Sequence, residues 1–561
     1  MRRGLVIYPA ISCIVFLILL LPFFFLAGAV QDEGYIFKKC WVSYFLSGPI
    51  FSDEGCGEST AVRRKIVGKI YSISQDLPPQ YSLEIYGVLV PFHSWLHVGP
   101  LPYVVQDFFI FLGDKIDGLF GNSGIIRFYF SKVPSFLFGF LTLIFIQKSI
   151  LYLCSGSFLP LFFSSIFIST FFAFVYNSSI GIAIAYISAV SFISLSLYFL
   201  VRLVKEEGLF SSLPFIFSSS LAIWSYLPSW VVVVSLVFGL RPRKFWRFMG
   251  VLCSSLLLGF FPYVISSFDI LTNPQTPPPW MGLLPRDALS SFLFVKNRSI
   301  DFSDRLKDFL NFFGYRGSGQ SFIIKEKYGW NLISLPSLIL ILLWGFWAFR
   351  FREFSSKVFL SFVVFIFLQF LLFPFPNHPR SFLLFFPPMS LGIFLFCDEV
   401  LGTGKRKDFG IFSLLFLVSH FFVQLNFYFK GLSDLIVDGS FHISVRYDFQ
   451  RDAVEIIKKY RCENFINISG YFNFPILAGK NCVVEDYIYF LNPKFIYYDD
   501  REIYRKDLEK ILIYHKGKIF IVRDIEEEKI IDELSQKNKI KIVKKDYIPL
   551  ENPKYIFIYT E

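Results

Sequence analysis

The sequence predicts a polytopic α-helical membrane protein that carries a soluble α/β domain at its C-terminal end. Of its 561 residues, 54% are hydrophobic, and the mean hydropathy is +0.53, values that exclude an ordinary soluble domain. Up to residue 428, apolar segments long enough to cross a bilayer follow one another along the chain. After residue 428, charged residues are frequent, and segments of helical and of strand periodicity alternate.

Eleven segments are apolar enough to be predicted as membrane spans. They are 5–30, 125–151, 158–176, 180–201, 209–226, 228–240, 246–268, 331–349, 356–376, 381–398 and 409–428. The first follows Arg2 and Arg3, so the positive-inside rule places the N-terminus in the cytoplasm. Every loop that then faces the cytoplasm carries a basic residue. Joining the fifth and sixth segments across Pro228 would move the basic cluster at 241–247 outside, so we keep eleven spans, which leaves the C-terminus outside.

Three long segments are then predicted to face the outside. They are 31–124, 269–330 and 429–561. In the first, 83–96 and 101–113 are too short or too interrupted to cross, so we predict helices lying along the membrane surface. In the second, apolar residues at helical spacing predict an amphipathic helix over 301–313. The chain therefore divides into a membrane domain, 1–428, and an extracytoplasmic domain.

The extracytoplasmic domain is predicted to be a small α/β domain. Its periodicities predict helices at 452–460, 501–515 and 526–537, and strands at 465–469, 494–498, 518–522, 540–544 and 555–559. No glycine-rich phosphate loop follows any of these predicted strands, so nucleotide binding is not expected there.

The chain has eight cysteines, of which four lie in or at the ends of predicted spans. The other four form two local pairs outside the membrane, Cys40 with Cys56 and Cys462 with Cys482. We predict a disulfide for each pair, because the extracytoplasmic side is oxidising. The alternative is free thiols in a reducing or anoxic setting.

An acidic pair, Asp32 and Glu33, directly follows the first predicted span. With a cytoplasmic N-terminus, the pair lies at the outer boundary between membrane and water. A carboxylate there is ionised yet close to lipid-borne groups, which suits the base of an enzyme that acts on membrane-anchored substrates. The alternative is that two solvated charges simply end the first helix.

Four stretches together resemble the motifs of GT-C-type integral-membrane glycosyltransferases. They are Gln31-Asp32-Glu33-Gly34-Tyr35, His97-Val98-Gly99-Pro100-Leu101-Pro102-Tyr103, the run from Arg127 through Lys132-Val133-Pro134-Ser135 to Gly139, and His378-Pro379-Arg380-Ser381-Phe382-Leu383-Leu384 followed by Pro387 and Pro388. In order, spacing and side of the membrane they are similar to the branch that includes protein O-mannosyltransferases and the lipid A aminoarabinose transferase. The resemblance covers most of 1–428.

The sequence also departs from that family pattern at two places. The segment Tyr176-Asn177-Ser178-Ser179 lacks the arginine that such enzymes often carry, and Ser381 replaces a tyrosine after Arg380. Both departures concern donor specificity more than the fold.

The resemblance implies inverting transfer of a sugar from a polyprenyl phosphate to a hydroxyl of a lipid, glycan or protein. The reaction would take place on the outer side of the plasma (inner) membrane. Asp32 is the candidate base that takes the acceptor proton, and Glu33 would orient the acceptor or a metal. His97 and Tyr103 are the candidate substrate-binding residues, and His97 has metal ligation or a helix-end role as alternatives.

The leaving polyprenyl phosphate needs cations, since its charge grows as the glycosidic bond breaks. Four residues near the outer ends of their spans are candidates: Arg127, Lys132, His378 and Arg380. For Lys132 and Arg380 the alternative is a cation that snorkels from the membrane to water.

A divalent metal ion is left open as a cofactor. Asp287, Asp301 and Asp304 of the second external segment are candidate ligands if the fold brings them to Asp32. Nucleic acid is not an expected partner, because the net charge of +11 comes from short loops that suit topology and anionic membrane lipid.

Two other classes of protein are alternatives to the transferase. A transporter or flippase of a lipid-linked or polar substrate would carry ionisable residues within its spans, which are almost free of them here. A non-catalytic scaffold would tolerate the loss of Asp32.

Overall fold

The structure, a computed structural model, describes the chain in segments. They are residues 7–28, 82–85, 88–91, 101–121, 124–153, 158–181, 184–206, 212–240, 245–272, 335–351, 354–372, 382–402, 407–441, 444–468, 485–486, 501–522, 525–537, 539–549 and 555–561. The predicted amphipathic helix at 301–313 lies outside these described residues.

Each of the eleven predicted spans coincides with one or two helices. In chain order the helices of this part are α1 (Ile7–Leu26), α2 (Leu101–Leu119), α3 (Ile125–Leu153), α4 (Phe158–Thr170), α5 (Phe172–Ser179), α6 (Ile184–Glu206), α7 (Ser212–Ser225), α8 (Ser229–Leu240), α9 (Phe245–Thr272), α10 (Leu335–Phe351), α11 (Phe354–Leu372), α12 (Phe386–Gly402) and α13 (Lys407–Ser433). The third span is divided between α4 and α5, and α2 is one of the two predicted surface helices.

Length and composition identify the helices that can cross a membrane. Among the described residues four helical segments are long and apolar enough, namely Ile125–Leu153, Ile184–Lys205, Leu383–Val400 and Gly410–Asp438. Six further apolar helices are shorter. Helices satisfy their backbone N–H and C=O groups internally, which is the condition for backbone in contact with lipid.

Aromatic rings join helices that are distant in sequence. Phe386, at the start of α12, stacks on Phe171 and on Phe174, with ring centroids 5.3 and 4.7 Å apart. Phe23 of α1 meets Tyr428 of α13 edge to face at 5.5 Å. These pairs lie in one large buried core and bring the first, third, tenth and eleventh spans together.

Two residues of the quoted motifs have a structural role in the helix bundle. In α12, Pro387 stands in the first turn, directly after the 3-10 turn Leu383–Phe385, where its fixed φ suits the start of an α-helix. In α3, Gly139 lies so close to α5 that a Cβ atom would stand 2.5 Å from the Ser178 hydroxyl. Glycine is therefore required for the close approach of these two helices.

The prediction of a surface helix at 83–96 is wrong. Strands β1 (Ser82–Ile85) and β2 (Val88–Pro91) pair antiparallel there, Ile85 opposite Val88. Branched apolar residues alternate on both sides of Gly87, a pattern that favours a hairpin, and Pro91 stands at the strand end where its missing N–H is tolerated. The high apolar content of the segment favours a surface helix, whereas the alternation favours strands, and the alternation is the signal that the structure follows.

The C-terminal part is an α/β domain, as predicted. Its elements are β3 (Ser440–Phe441), β4 (Ser444–Val445), α14 (Tyr447–Tyr460), β5 (Phe465–Asn467), β6 (Glu485–Asp486), α15 (Arg501–Tyr514), β7 (Ile519–Val522), α16 (Ile525–Gln536), β8 (Ile542–Ile548) and β9 (Tyr555–Thr560). The three predicted helices and four of the predicted strands are present. The fifth, at 494–498, lies outside the described residues.

One five-stranded sheet organises this domain, in the order β6-β5-β7-β9-β8. Strand β5 is parallel to β6 and β7, whereas β9 is antiparallel to β7 and β8. Alternate residues of the strands enter two separate cores. Phe465 and Phe557 pack with α14 on one face, and Phe520 with α15 and α16 on the other.

Candidate functional site

The C-terminal end of α1 lies against the first turns of α3, and Lys132 joins the two helices. Its ammonium group donates a hydrogen bond to the carbonyl oxygen of Phe24 at 2.8 Å and another to that of Ala27. The Lys132 side chain is fully buried, and its nitrogen lies 4.3 Å from the centre of the Phe128 ring. It therefore does not extend to water as a snorkelling lysine does.

A cation is well suited to this position. The last carbonyl groups of a helix have no intrahelical donor, and the helix dipole places partial negative charge there. Lys132 supplies donors to two such carbonyl groups and brings its charge to the favourable end of the dipole. Lys132 thus fixes the place where the chain leaves α1, five residues before Asp32.

Arg127, on the first turn of α3, has a carboxylate partner. Its guanidinium nitrogen Nη1 lies 2.6 Å from Oδ1 of Asp114 on α2, and the two side chains are 1% and 15% exposed. The helices are in close contact here, since a Cβ atom on Gly113 would stand 2.9 Å from the Arg127 Cα. Asp114 gives the buried guanidinium a counter-charge, and the ion pair joins α2 to the second span. The phosphate role of Arg127 stays a prediction.

Breaking this pair is expected to destabilise the protein without weakening donor binding. Asp114→Asn leaves the buried guanidinium without its counter-charge, at a cost of about 3 kcal/mol. Arg127→Met added to Asp114→Asn should recover most of this loss, because the pair is then removed as a whole. Thermal unfolding in detergent checks both variants. A raised donor KM in a stably folded Arg127→Met variant would instead support the phosphate role predicted for Arg127.

Gln106 is a buried polar residue of α2 that the sequence motifs did not identify. Its side-chain amide donates to the carbonyl oxygens of Ser131 in α3, at 2.9 Å, and of Gly181, at 3.3 Å. It lies three residues after Tyr103 on the same helix. Gln106 attaches α2 to the bundle beside Lys132.

Most of the other predicted site residues lie outside the described part of the chain. They are Asp32, Glu33, His97, His378 and Arg380, the candidate metal ligands Asp287, Asp301 and Asp304, and the cysteines Cys40, Cys56 and Cys482. Tyr103 lies in α2, but its side chain is not described. Within the described residues no group of three or more His, Cys, Asp or Glu side chains could hold a metal ion.

Cys462 forms a disulfide. The other cysteines among the described residues, Cys13, Cys253 and Cys397, are free thiols, so the partner of Cys462 is none of them. The pairing with Cys482 stays a prediction.

The α/β domain packs against the C-terminal end of α1 and the N-terminal end of α3. The Phe128 and Tyr447 rings stack with centroids 4.6 Å apart, and burial raises the pKa of Tyr447 to about 12, with Tyr129 and Asp117 adding to the shift. Arg446 makes a bidentate ion pair with Asp448, 2.7 Å long. Burial alone would raise the pKa of Asp448, but the hydrogen bonds from Arg446 lower it below its usual value.

A search of known proteins finds similarity in structure and none in sequence. No protein-family model and no curated protein sequence matches the chain significantly. The fold is similar to the crystal structure of ArnT from Cupriavidus metallidurans bound to undecaprenyl phosphate. The TM-score is 0.50 and the identity 10%, over 100% of this chain and 98% of that one.

This likeness shows the fold and not the activity, because the identity is so low. It confirms the prediction of a GT-C-like membrane fold with a C-terminal α/β part. Together with the apolar helices it indicates an integral membrane protein.

Proposed function

We propose that this protein is a membrane glycosyltransferase that moves a sugar from a polyprenyl phosphate to a hydroxyl acceptor on the outer side of the plasma membrane. The observation that carries the proposal is the full-length likeness to ArnT, whose crystal structure holds undecaprenyl phosphate. A second support is the buried ammonium group of Lys132, a residue of the third motif, which contacts the end of α1 four residues before the first motif begins.

The first motif begins four residues after Ala27, at the end of α1, which the third motif contacts. Lys132, from the third motif, contacts the backbone of Ala27. Asp32, from the first, follows Ala27 by five residues, so covalent geometry keeps their Cα atoms within about 18 Å of each other. The proposed base therefore belongs to the same end of the helix bundle as the buried lysine.

The reaction that we assign to this end of the bundle is a single displacement. The acceptor oxygen attacks the anomeric carbon while Asp32 takes its proton. The bond between that carbon and the phosphate oxygen breaks, and its electron pair leaves with the polyprenyl phosphate. Attack opposite the leaving group inverts the anomeric configuration. Glu33 would orient the acceptor hydroxyl.

Positive charge stabilises the departing phosphate in this scheme. Lys132 supplies such charge from a buried position, where the low local dielectric strengthens its field. His378 and Arg380 precede the tenth span and are the candidates for direct contact with the phosphate oxygens. A divalent metal ion held by Asp287, Asp301 or Asp304 would add positive charge at the same place, and EDTA would then remove activity that Mg²⁺ or Mn²⁺ restores.

The proposal is tested by donor consumption. Protein in nanodiscs is given undecaprenyl phosphate carrying mannose, glucose, arabinose or aminoarabinose, one at a time, with an envelope extract from cells that lack the protein as acceptor. We expect one donor to lose its sugar and free undecaprenyl phosphate to accumulate.

Two outcomes of this test would contradict the transferase. The first is that all donors stay intact and undecaprenyl phosphate binds no better than undecaprenol. The second is that, in sealed vesicles, a donor crosses the membrane chemically unchanged, which would identify a transporter. The matched control is protein with Asp438→Asn, which removes an exposed carboxylate in the helical turn Asp434–Asp438 that follows α13.

A further inference from the structure

The short segment at the end of α1, residues 24–28, is held by two distant parts of the chain. From one side Lys132 of α3 bonds to the carbonyl oxygens of Phe24 and Ala27. From the other side the α/β domain contacts Ala27 and Gly28 through its β4–α14 corner, residues 444–450. The chain then continues to the segment that carries Asp32 and Glu33.

The link to the α/β domain is made by backbone groups. Ala27 and Arg446 pair as an antiparallel bridge. The Gly28 N–H donates to the carbonyl oxygen of Val445 at 2.7 Å. The antiparallel bridge sets the local direction of the two segments against each other and places Ala27 opposite Arg446.

Gln450 closes the contact behind Gly28. Its side chain is fully buried and donates to the Tyr555 hydroxyl on β9 at 3.2 Å. A Cβ atom on Gly28 would run into this side chain and would stand 2.6 Å from the Val445 carbonyl oxygen. Glycine is therefore needed where the chain leaves α1, and the central sheet of the domain supports this position through Gln450.

Stacked rings connect the two attachments. Phe128 of α3 lies in the same core cluster as α14, β5 and β9, and its ring is parallel to that of Tyr447 within 13°. The Lys132 ammonium lies on the Phe128 ring. Tyr447, Phe128 and Lys132 thus form one packed column from the α/β domain to the carbonyl groups of α1.

We propose that the C-terminal α/β domain positions the catalytic base: its β4–α14 corner holds Ala27 and Gly28, from which the chain continues to Asp32. This role rests on the transferase function proposed above. Tyr447 and Gln450 are positioning residues, which act through Asp32. Asp32 follows Gly28 by four residues, so covalent geometry keeps its Cα atom within about 14 Å of the held Gly28. A misplacement of 1 Å can cost about 100-fold in rate.

The first arm of the test separates turnover from donor binding. Tyr447→Ala, which removes the stacked ring, should lower kcat by about tenfold or more with the donor KM changed by less than about twofold. Tyr447→Phe keeps the ring and should restore kcat. Tyr514→Ala removes an aromatic ring of the same domain that is 54% exposed and should leave both constants unchanged. Gln450→Ala provides a second variant with the expected effect of Tyr447→Ala.

The second arm restores the contact covalently. Paired residues in an antiparallel bridge have Cα atoms about 4.5–5.5 Å apart, within the range of a disulfide. Ala27→Cys with Arg446→Cys should therefore form a crosslink on oxidation. Added to Tyr447→Ala, the crosslink should raise kcat back to within about threefold of the parent, and reduction should lower it again. Tyr447→Ala without the cysteine pair controls for the effect of oxidant and reductant.

The outcomes distinguish the two proposals. Efficient crosslinking, which needs no substrate, tests the contact alone. An active parent whose kcat does not fall in Tyr447→Ala and Gln450→Ala would overturn the positioning role and leave the transferase intact. A change in the donor KM with kcat unchanged would also overturn it. So would a loss of kcat that the crosslink does not reverse. A parent that crosslinks efficiently but consumes no donor would contradict the transferase function and, with it, the positioning role.

Discussion

Asp32→Asn is expected to abolish sugar transfer while the protein still folds and inserts. A positioned general base contributes roughly a hundredfold to ten-thousandfold, so kcat should fall by about 1,000-fold with a donor KM near that of the parent. The amide keeps the size of the side chain but cannot accept the acceptor proton. Turnover measured with the donor that the parent uses checks this expectation.

Two matched variants make the Asp32→Asn result specific. Glu33→Gln removes the neighbouring carboxylate and should slow transfer less, since Glu33 is assigned to orientation. Asp438→Asn removes an exposed carboxylate at the C-terminal end of the apolar helical segment Gly410–Asp438 and should change nothing. Wild-type turnover in Asp32→Asn would contradict the assignment of the base and would favour a scaffold role for the protein.

Lys132→Met is expected to have the second largest effect. Methionine matches the length of the lysine stem but removes the charge and the donors to the Phe24 and Ala27 carbonyl oxygens. Two buried acceptors lose a partner, which costs about 1–3 kcal/mol of stability for each. Transfer should fall about 100-fold in kcat/KM, with a raised donor KM, because the phosphate loses a nearby cation.

The control for Lys132→Met lies on the same helix. Lys148, near the other end of α3, is exposed and lies over the Phe145 ring, so Lys148→Met changes the same chemistry away from the site. It should leave kcat/KM within about twofold of the parent, as surface substitutions usually do. If a folded Lys132→Met variant kept its donor KM and kcat, Lys132 would serve only to hold the end of α1.

Local signals were sufficient to predict most of the fold. The spans follow from the length of the apolar segments and from the basic residues between them, which is why α1, α3 and α6 begin within a few residues of their predicted starts. The C-terminal helices and strands follow from their periodicities. The segment 82–91 is apolar enough to suit a surface helix, but the alternation of its branched residues favours strands, and it forms a pair of strands.

Long-range contacts could not be predicted from the sequence. The carboxylate partner of Arg127, Asp114, lies on another helix, and local periodicity does not encode which helices meet. The same holds for Lys132, whose acceptors lie on α1 more than a hundred residues earlier. The contact of Tyr447 with Phe128 depends on how two domains pack, which a single sequence does not reveal.

The most direct test of the central claim is to determine on which side of the membrane residue 31 lies. Gln31→Cys, in right-side-out vesicles, is treated with a membrane-impermeant maleimide, and its labelling is compared with that of the parent. Lys148→Cys, at the opposite end of α3, is the control that should react only after permeabilisation. We predict that Gln31→Cys is labelled in intact vesicles, next to the proposed base. Labelling of Gln31→Cys only after permeabilisation would place Asp32 in the cytoplasm and contradict the account.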